Sequence, residues 1–83
     1  MWFVYILLCE DGTLYTGISN NLEKRLADHK MGKGARYTRM HKPVKIIYSE
    51  EVISRSEASK REQEIKNYKR VQKIKLLNLD LTA

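Results

Sequence analysis

The chain has 83 residues, of which 42% are hydrophobic and 31% are charged, and its formal net charge is +6. This composition is typical of a globular chain, and the length predicts one domain over residues 1–83 with one modest core. A catalytic domain joined to a separate recognition domain is excluded by length, so any active site must use the elements that form the core. The basic excess favours an anionic partner such as nucleic acid, although a basic surface without a specific partner would carry the same charge.

Cys9 is the only cysteine, which excludes an internal disulfide and a cysteine-based zinc site. The longest apolar run, over residues 2–9, is too short to span a bilayer and lacks the pattern of a signal peptide. The sequence therefore predicts a cytoplasmic protein without a membrane partner, and it leaves the oligomeric state open.

The first two predicted elements are strands over residues 2–9 and 13–18. The first is apolar on both alternating faces, as expected of a strand that is covered on two sides. The second alternates between apolar and polar residues. Asp11-Gly12 is a turn signal, so the two strands are predicted to form an antiparallel hairpin.

The register of this hairpin decides where its tyrosines point. With a two-residue loop, Tyr5 and Tyr15 would face opposite sides of the sheet. With a three-residue loop over residues 10–12, Tyr5 opposes Gly17 and the two tyrosines share one face. Gly17 would then allow a close approach to the sheet, whereas the alternative is that both tyrosines are ordinary core aromatics.

A helix follows, with Asn20 and Glu23 predicted to form a capping box and Gly32 predicted to end it. Arg25 and His29 lie four residues apart and therefore share a face at the edge of the apolar stripe. A guanidinium in that position could hold a phosphate with two hydrogen bonds. The alternatives are a solvated arginine and a structural histidine.

The predicted loop up to Pro43 is rich in glycine and cations, and no Asp or Glu occurs between Asp28 and Glu50. Its glycines would let the backbone approach a phosphate chain. A solvated charge run is the alternative, but the lack of balancing acids favours phosphate contacts. The residues expected to bind nucleic acid are Lys33, Arg36, Tyr37 (by stacking on a base), Arg39, Lys42 and, on a later helix, Lys66.

The remainder of the chain predicts a strand over residues 44–50, a helix from Ser54 to about Tyr68, and a helix over residues 70–79. Ser54 and Glu57 form a second capping box. The last helix is expected to face inward with Val71, Ile74 and Leu77. A hairpin cannot be parallel, so the pattern predicts an α+β fold with a small antiparallel sheet covered by helices.

Glu62 occupies a position at which an apolar residue is expected, because Ala58, Glu62 and Ile65 follow the spacing of a buried helical stripe. A carboxylate in such a place needs a partner. It could be a ligand of Mg²⁺. The alternative, which Glu62 taken alone favours, is an ion pair with Lys66, four residues further on.

These features together resemble the GIY-YIG nucleases. Phe3-Val4-Tyr5 and Tyr15-Thr16-Gly17 resemble the two half-motifs that name the family, at its usual spacing of about ten residues. Three further segments resemble, in order, the family's first helix, the loop of its small single-domain bacterial branch and its metal-binding helix: residues 21–29, 32–39 and 56–66.

The resemblance implies a three-stranded antiparallel sheet flanked by three helices, in the order β-β-α-β-α-α. It implies hydrolysis of phosphodiester bonds with one Mg²⁺ or Mn²⁺, on DNA in preference to RNA, in DNA repair or processing. By resemblance, Glu62 would hold the metal and Arg25 would stabilise charge on the phosphate. Tyr5 or Tyr15 would deprotonate the attacking water, or His29 would relay the proton.

Two other classes of function remain open on the sequence. A non-catalytic nucleic-acid-binding module could keep the same fold and the same basic loop. A protein-interaction domain could carry the charge without using it.

Overall fold

The computed structural model describes residues 1–34, 36–79 and 81. Three strands form one antiparallel sheet in the order β2-β1-β3. The predicted fold class is confirmed, and the chain adds one short helix, α2, inside the segment predicted to be a loop. In chain order the elements are β1 (Trp2–Cys9), β2 (Leu14–Ser19), α1 (Leu22–Lys30), α2 (Arg36–Met40), β3 (Pro43–Val52), α3 (Arg55–Lys66) and α4 (Arg70–Leu76).

The β1–β2 hairpin has the three-residue loop. Gly12 has a φ of 82°, a left-handed conformation that glycine adopts without steric cost. The Cys9 N–H donates to the Thr13 carbonyl at 2.9 Å, which closes the loop. Tyr5 therefore pairs with Gly17, as the three-residue alternative predicted.

The central strand β1 is buried on both faces. Val4 and Ile6 face a cluster that includes Ala58 and Ile65 of α3. Tyr5 alternates with them and therefore faces the other side of the sheet, where α1 packs. The prediction of a strand covered on two sides is confirmed, and the two faces separate a core from the candidate site.

Strand β3 contains a bulge next to the core. Ile6 pairs with Tyr48 while the next residue, Leu7, pairs with Ile46, so Ile47 has no opposing residue. Ile47 and Tyr48 consequently both pack against the core cluster.

The start of α1 differs by one residue from the prediction. Asn21, not Asn20, is the cap, and its side chain accepts a hydrogen bond from the Lys24 N–H at 3.1 Å. The Ser19 hydroxyl binds the backbone N–H and the carbonyl of Asn21, which moves the first helical residue beyond the predicted cap. The cap of α3 is as predicted, because Ser54 accepts from the Glu57 N–H.

The last helix is shorter than predicted, and one of its predicted inward residues is wrong. Val71 is 73% exposed. The helix ends at Leu76, and Asn78 has a φ of 51°, which turns the chain. Leu77 packs against the core cluster, as predicted, and Leu79, which lies beyond the end of the helix, does so as well. Within the described part of the chain, no helix is long and apolar enough to cross a membrane.

Candidate active site

A buried hydrogen bond joins β1 to α1 on the face opposite the core. The Tyr5 hydroxyl lies 2.8 Å from Nε2 of His29. Both side chains are 1% exposed. The candidate tyrosine of β1 and the candidate histidine of α1 are therefore in direct contact.

Tyr15 completes an aromatic cluster over Gly17. Its ring centroid lies 6.4 Å from that of Tyr5 and 5.3 Å from that of His29. A Cβ atom at Gly17 would come within 2.6 Å of the Tyr5 hydroxyl and 3.0 Å of the Tyr15 ring. Glycine is therefore required here by the two rings themselves, and the prediction that both tyrosines share this face is confirmed.

Arg25 brings a positive charge to this cluster from α1. Burial raises the pKa of Tyr5 to about 12, and a hydrogen bond with Arg25 only partly opposes this rise. Burial would lower the pKa of Arg25, but the hydrogen bond to Tyr5 and attraction to the phenolate forms of both tyrosines outweigh it, so its pKa is raised. The guanidinium thus stays charged next to both phenols.

His29 is a neutral ring with two hydrogen-bond partners. Burial, and then the nearby Arg25 charge, lower the pKa of His29 to about 4. Its Nδ1 lies 2.7 Å from the Thr38 hydroxyl, and its Nε2 is bound to Tyr5. A neutral imidazole has one donor and one acceptor nitrogen, so its hydrogen-bonding capacity is used by the two hydroxyls.

The segment after α1 holds His29 in place, which the sequence did not indicate. A Cβ atom at Gly34 would overlap the imidazole ring, so this glycine packs its backbone against His29. Thr38 of α2 supplies the hydrogen bond to Nδ1. No spacing rule links a loop glycine or this threonine to a histidine on another helix, so only the α2 turn reveals their part.

Tyr37 lies in the same cluster and not in an open loop. Its ring stacks on His41 at 4.3 Å and on Tyr15 at 5.7 Å between centroids. His41 is in turn bound to the Asp11 carboxylate in the hairpin loop. Stacking of a base on Tyr37 would therefore require one of these ring contacts to open.

The predicted basic residues of the loop lie at the surface around this cluster. Lys33, Arg36, Arg39 and Lys42 are exposed. Arg39 and Lys42 line a cleft of about 400 Å³ whose floor includes His29. The structure thus brings part of the cationic loop to the histidine side of the site.

Glu62 comes from α3, which packs on the other face of the sheet. Its side chain is 16% exposed, and its carboxylate lies 3.5 Å from the Lys66 ammonium, so the predicted ion pair is present. Its charge is also close enough to raise the pKa of Tyr5, as the smallest of the effects on that group. Among the described residues, no three His, Cys, Asp or Glu side chains cluster in a way that could hold a metal ion.

Comparison with known proteins agrees with this geometry. The model of the GIY-YIG catalytic domain matches residues 1–75. A UPF0213 protein of Staphylococcus haemolyticus is 49% identical over 75 residues, which cover 90% of this chain and 92% of that protein.

Two solution NMR structures have a similar fold. The UPF0213 protein BH0048 from Bacillus halodurans has a TM-score of 0.59 and 38% identity, covering 94% of this chain and 84% of that one. A protein from E. faecalis has a TM-score of 0.63 and 39% identity, covering 92% of this chain and 81% of that one. The chain belongs to the GIY-YIG catalytic domain family, which is a family of nuclease type.

Proposed function

We propose that the protein is an endonuclease that hydrolyses DNA phosphodiester bonds with one bound Mg²⁺ or Mn²⁺, as a single catalytic domain acting in DNA repair or processing. The observation that carries this proposal is the convergence of Tyr5, Tyr15, Arg25 and His29 over Gly17. Membership of the GIY-YIG family supports the same reaction and DNA as the substrate.

Arg25 is the residue proposed to bind the scissile phosphate. It is charged, and no carboxylate forms a salt bridge with it in the described part of the chain. Its guanidinium can donate two hydrogen bonds to phosphoryl oxygens and stabilise the negative charge that develops there.

The exposure of the two tyrosines suggests different roles. Tyr15 is partly exposed and can reach a water molecule, so we assign to it the removal of the proton from that water. Tyr5 is buried, and its pKa of about 12 keeps it protonated. We therefore propose that Tyr5, held by His29, is a hydrogen-bond donor that orients the site.

Glu62 fits a metal that is shared with the substrate. Mg²⁺ is commonly held by one or two carboxylates together with water and substrate phosphates, and Glu62 is a carboxylate whose side chain is only 16% exposed and whose charge raises the pKa of Tyr5. When bound, the ion would polarise the phosphate and stabilise the leaving oxygen. Lys66 would keep the carboxylate oriented, and it is exposed enough to contact the substrate backbone as well.

The substitution Glu62→Gln tests this function directly. It keeps the size of the side chain and removes its charge. We expect Mg²⁺-dependent cleavage of flapped, branched or single-stranded DNA to be lost, while DNA affinity measured without metal is kept or increased, because a negative charge leaves a site that faces phosphates. Glu51→Gln, an exposed carboxylate of β3, is the matched control and should cleave normally.

The outcomes separate the candidate functions. Cleavage that persists in Glu62→Gln contradicts the metal assignment and leaves Glu62 as the ion-pair partner of Lys66. If the unmutated protein binds DNA but cuts no DNA or RNA structure with Mg²⁺ or Mn²⁺, the chain is a nucleic-acid-binding module on a nuclease fold. The cationic cleft lined by Arg39 and Lys42 favours that module as the second candidate.

A further inference from the structure

A second cleft, of about 380 Å³, is lined by the end of β2, the loop that follows it, α1 and the first residue of α3. Trp2 and Ile18 are its apolar lining residues. Its charged lining residues are Lys24, Arg25, Asp28 and Arg55. Apart from Arg25, none of them belongs to the aromatic cluster.

The cleft has a net positive charge. Lys24, Arg25 and Arg55 contribute three positive charges and Asp28 one negative charge, which leaves two. The carboxylate is occupied by Lys24, at 3.4 Å. Arg55 forms no salt bridge with any carboxylate in the described ranges, and its guanidinium lies 5.6 Å from the centre of the Trp2 ring. Trp2 thus holds the guanidinium over the cleft without neutralising it.

The cleft is continuous with the proposed active site through Arg25, which lines the cleft and binds Tyr5. Arg55 and Glu62 lie on the same helix, seven residues apart, which is about 10 Å along its axis at about 1.5 Å per residue. A DNA strand that lies along α3 could therefore place one phosphate near Glu62 and a flanking phosphate of the same strand near Arg55.

We infer that this cleft binds a backbone phosphate of the substrate strand that flanks the scissile phosphate, with Arg55 as its donor and Trp2 as the support of that side chain. The inference rests on the proposed function for the position of the scissile phosphate. Helix α3 would then carry one contact for the reaction, at Glu62, and one for the flanking strand, at Arg55.

The test couples a change in the protein to a change in the DNA. The probe is a fluorescein-labelled DNA hairpin with a single-stranded flap, in which one phosphate at a time is replaced by an uncharged methylphosphonate. Affinity is measured with EDTA, so that no cleavage occurs, for the unmutated protein and for Arg55→Gln and Arg55→Lys. Lys60→Gln, an exposed cation elsewhere on α3, is the control for the loss of one charge.

We expect Arg55→Gln to weaken binding by about threefold to tenfold on the unmodified probe and to lower the salt slope by about 0.9, as for one lost phosphate contact. On the probe that lacks the charge at the partner phosphate, the same substitution should have no effect. Arg55→Lys should restore part of the affinity, and Lys60→Gln should show no dependence on the position of the methylphosphonate. Circular dichroism should show that the variants are folded, since Arg55 is an exposed first-turn residue.

The result also distinguishes failure of this inference from failure of the proposed function. An equal effect of Arg55→Gln on every probe would overturn the phosphate cleft, even if the unmodified DNA is cut with Mg²⁺. Position-specific coupling without any cleavage by the unmutated protein would keep the cleft and overturn the nuclease. A partner phosphate that coincides with the scissile phosphate itself would overturn a separate contact for the flanking strand.

Discussion

Burial is what distinguishes the two tyrosines of the site, although the sequence presents them as equivalent. Tyr5 lies on the central strand under α1 and is 1% exposed, whereas Tyr15 lies on an edge strand and is partly exposed. Desolvation disfavours the charged form of a phenol, and it is the largest effect on Tyr5. The position of each strand in the sheet thus favours Tyr15 for proton removal.

Substitution of each tyrosine by phenylalanine tests this assignment. Tyr15→Phe should lower kcat by about 10²- to 10⁴-fold, the usual contribution of a general base, with little loss of stability. Tyr5→Phe should leave Nε2 of His29 without its partner and lower the free energy of unfolding by about 1–3 kcal/mol. The measurements are single-turnover cleavage at saturating protein and urea unfolding. Full activity of Tyr15→Phe would show that the proton goes elsewhere.

Among the secondary-structure elements, α2 connects residues proposed to bind DNA with residues of the candidate active site. One side of it meets the site through Thr38 and Tyr37, and its arginines, Arg36 and Arg39, point to solvent. It is only five residues long, and isolated helices of that length are unstable in water. Its contacts with His29 and Tyr15 must therefore provide most of its stability.

Neutralising Lys33, Arg36 and Arg39 together should weaken DNA binding for all sequences. The slope of log K against log salt should become less steep by about 2.7, because about 0.9 is lost for each phosphate contact. Fluorescence anisotropy at several salt concentrations measures both quantities. A triple change at Lys60, Lys69 and Lys75, which are exposed cations of the α3–α4 region, removes the same charge and should change the slope much less. Equal effects of the two triple variants would exclude the loop as the specific contact surface.

The hairpin and the cap of α3 were predictable because they depend on neighbours in the chain, whereas the predicted cap of α1 was one residue too early. Gly12 fixes the loop, and the register of Tyr5 opposite Gly17 follows from it. The short helix α2 and the exposure of Val71 depend on tertiary contacts, which no local pattern reports. In the site, the motif residues were predicted from the sequence, whereas Gly34 and Thr38, which hold His29 in place, were not.

Gly34 shows why the residues that position His29 could not be predicted from the sequence. From the sequence, Gly34 was interpreted as room for a phosphate chain, whereas the space beside it is taken by the His29 ring. The difference between the two explanations lies in the fold of the intervening turn. Separate roles for Tyr5 and Tyr15 likewise required the order of the strands.

For the whole molecule, the buried His29 links stability to pH. Its pKa is about 4 in the folded chain, against 6.5 for an unperturbed histidine. Above about pH 6.5 the ring is neutral in both states and has no effect on the pH dependence of stability. Between the two pKa values the unfolded chain binds a proton that the folded chain does not, so stability falls as the pH is lowered.

The free energy of unfolding should therefore decrease by up to about 3 kcal/mol as the pH falls from about 6.5 to about 4. Urea titrations across this interval measure it. His29→Gln, which keeps a donor and an acceptor but cannot be protonated, should flatten the decline, although its absolute stability is lower. In His41→Gln, which replaces the other, less buried histidine, the free energy of unfolding should still decline as the pH falls. A decline that is unchanged in His29→Gln would show that other groups cause it.

The bulge of β3 also affects how the molecule behaves at high concentration. A ten-residue edge strand with unpaired N–H and C=O groups is a template on which a second chain could add a strand and start aggregation. The register shift at Ile47 interrupts the regular ladder, and Pro43 lacks the N–H that a new strand would use at its start. Lys45, Glu50 and Glu51 place charges along the same edge. The irregularity that packs two side chains into the core thus also disfavours the growth of the sheet beyond three strands.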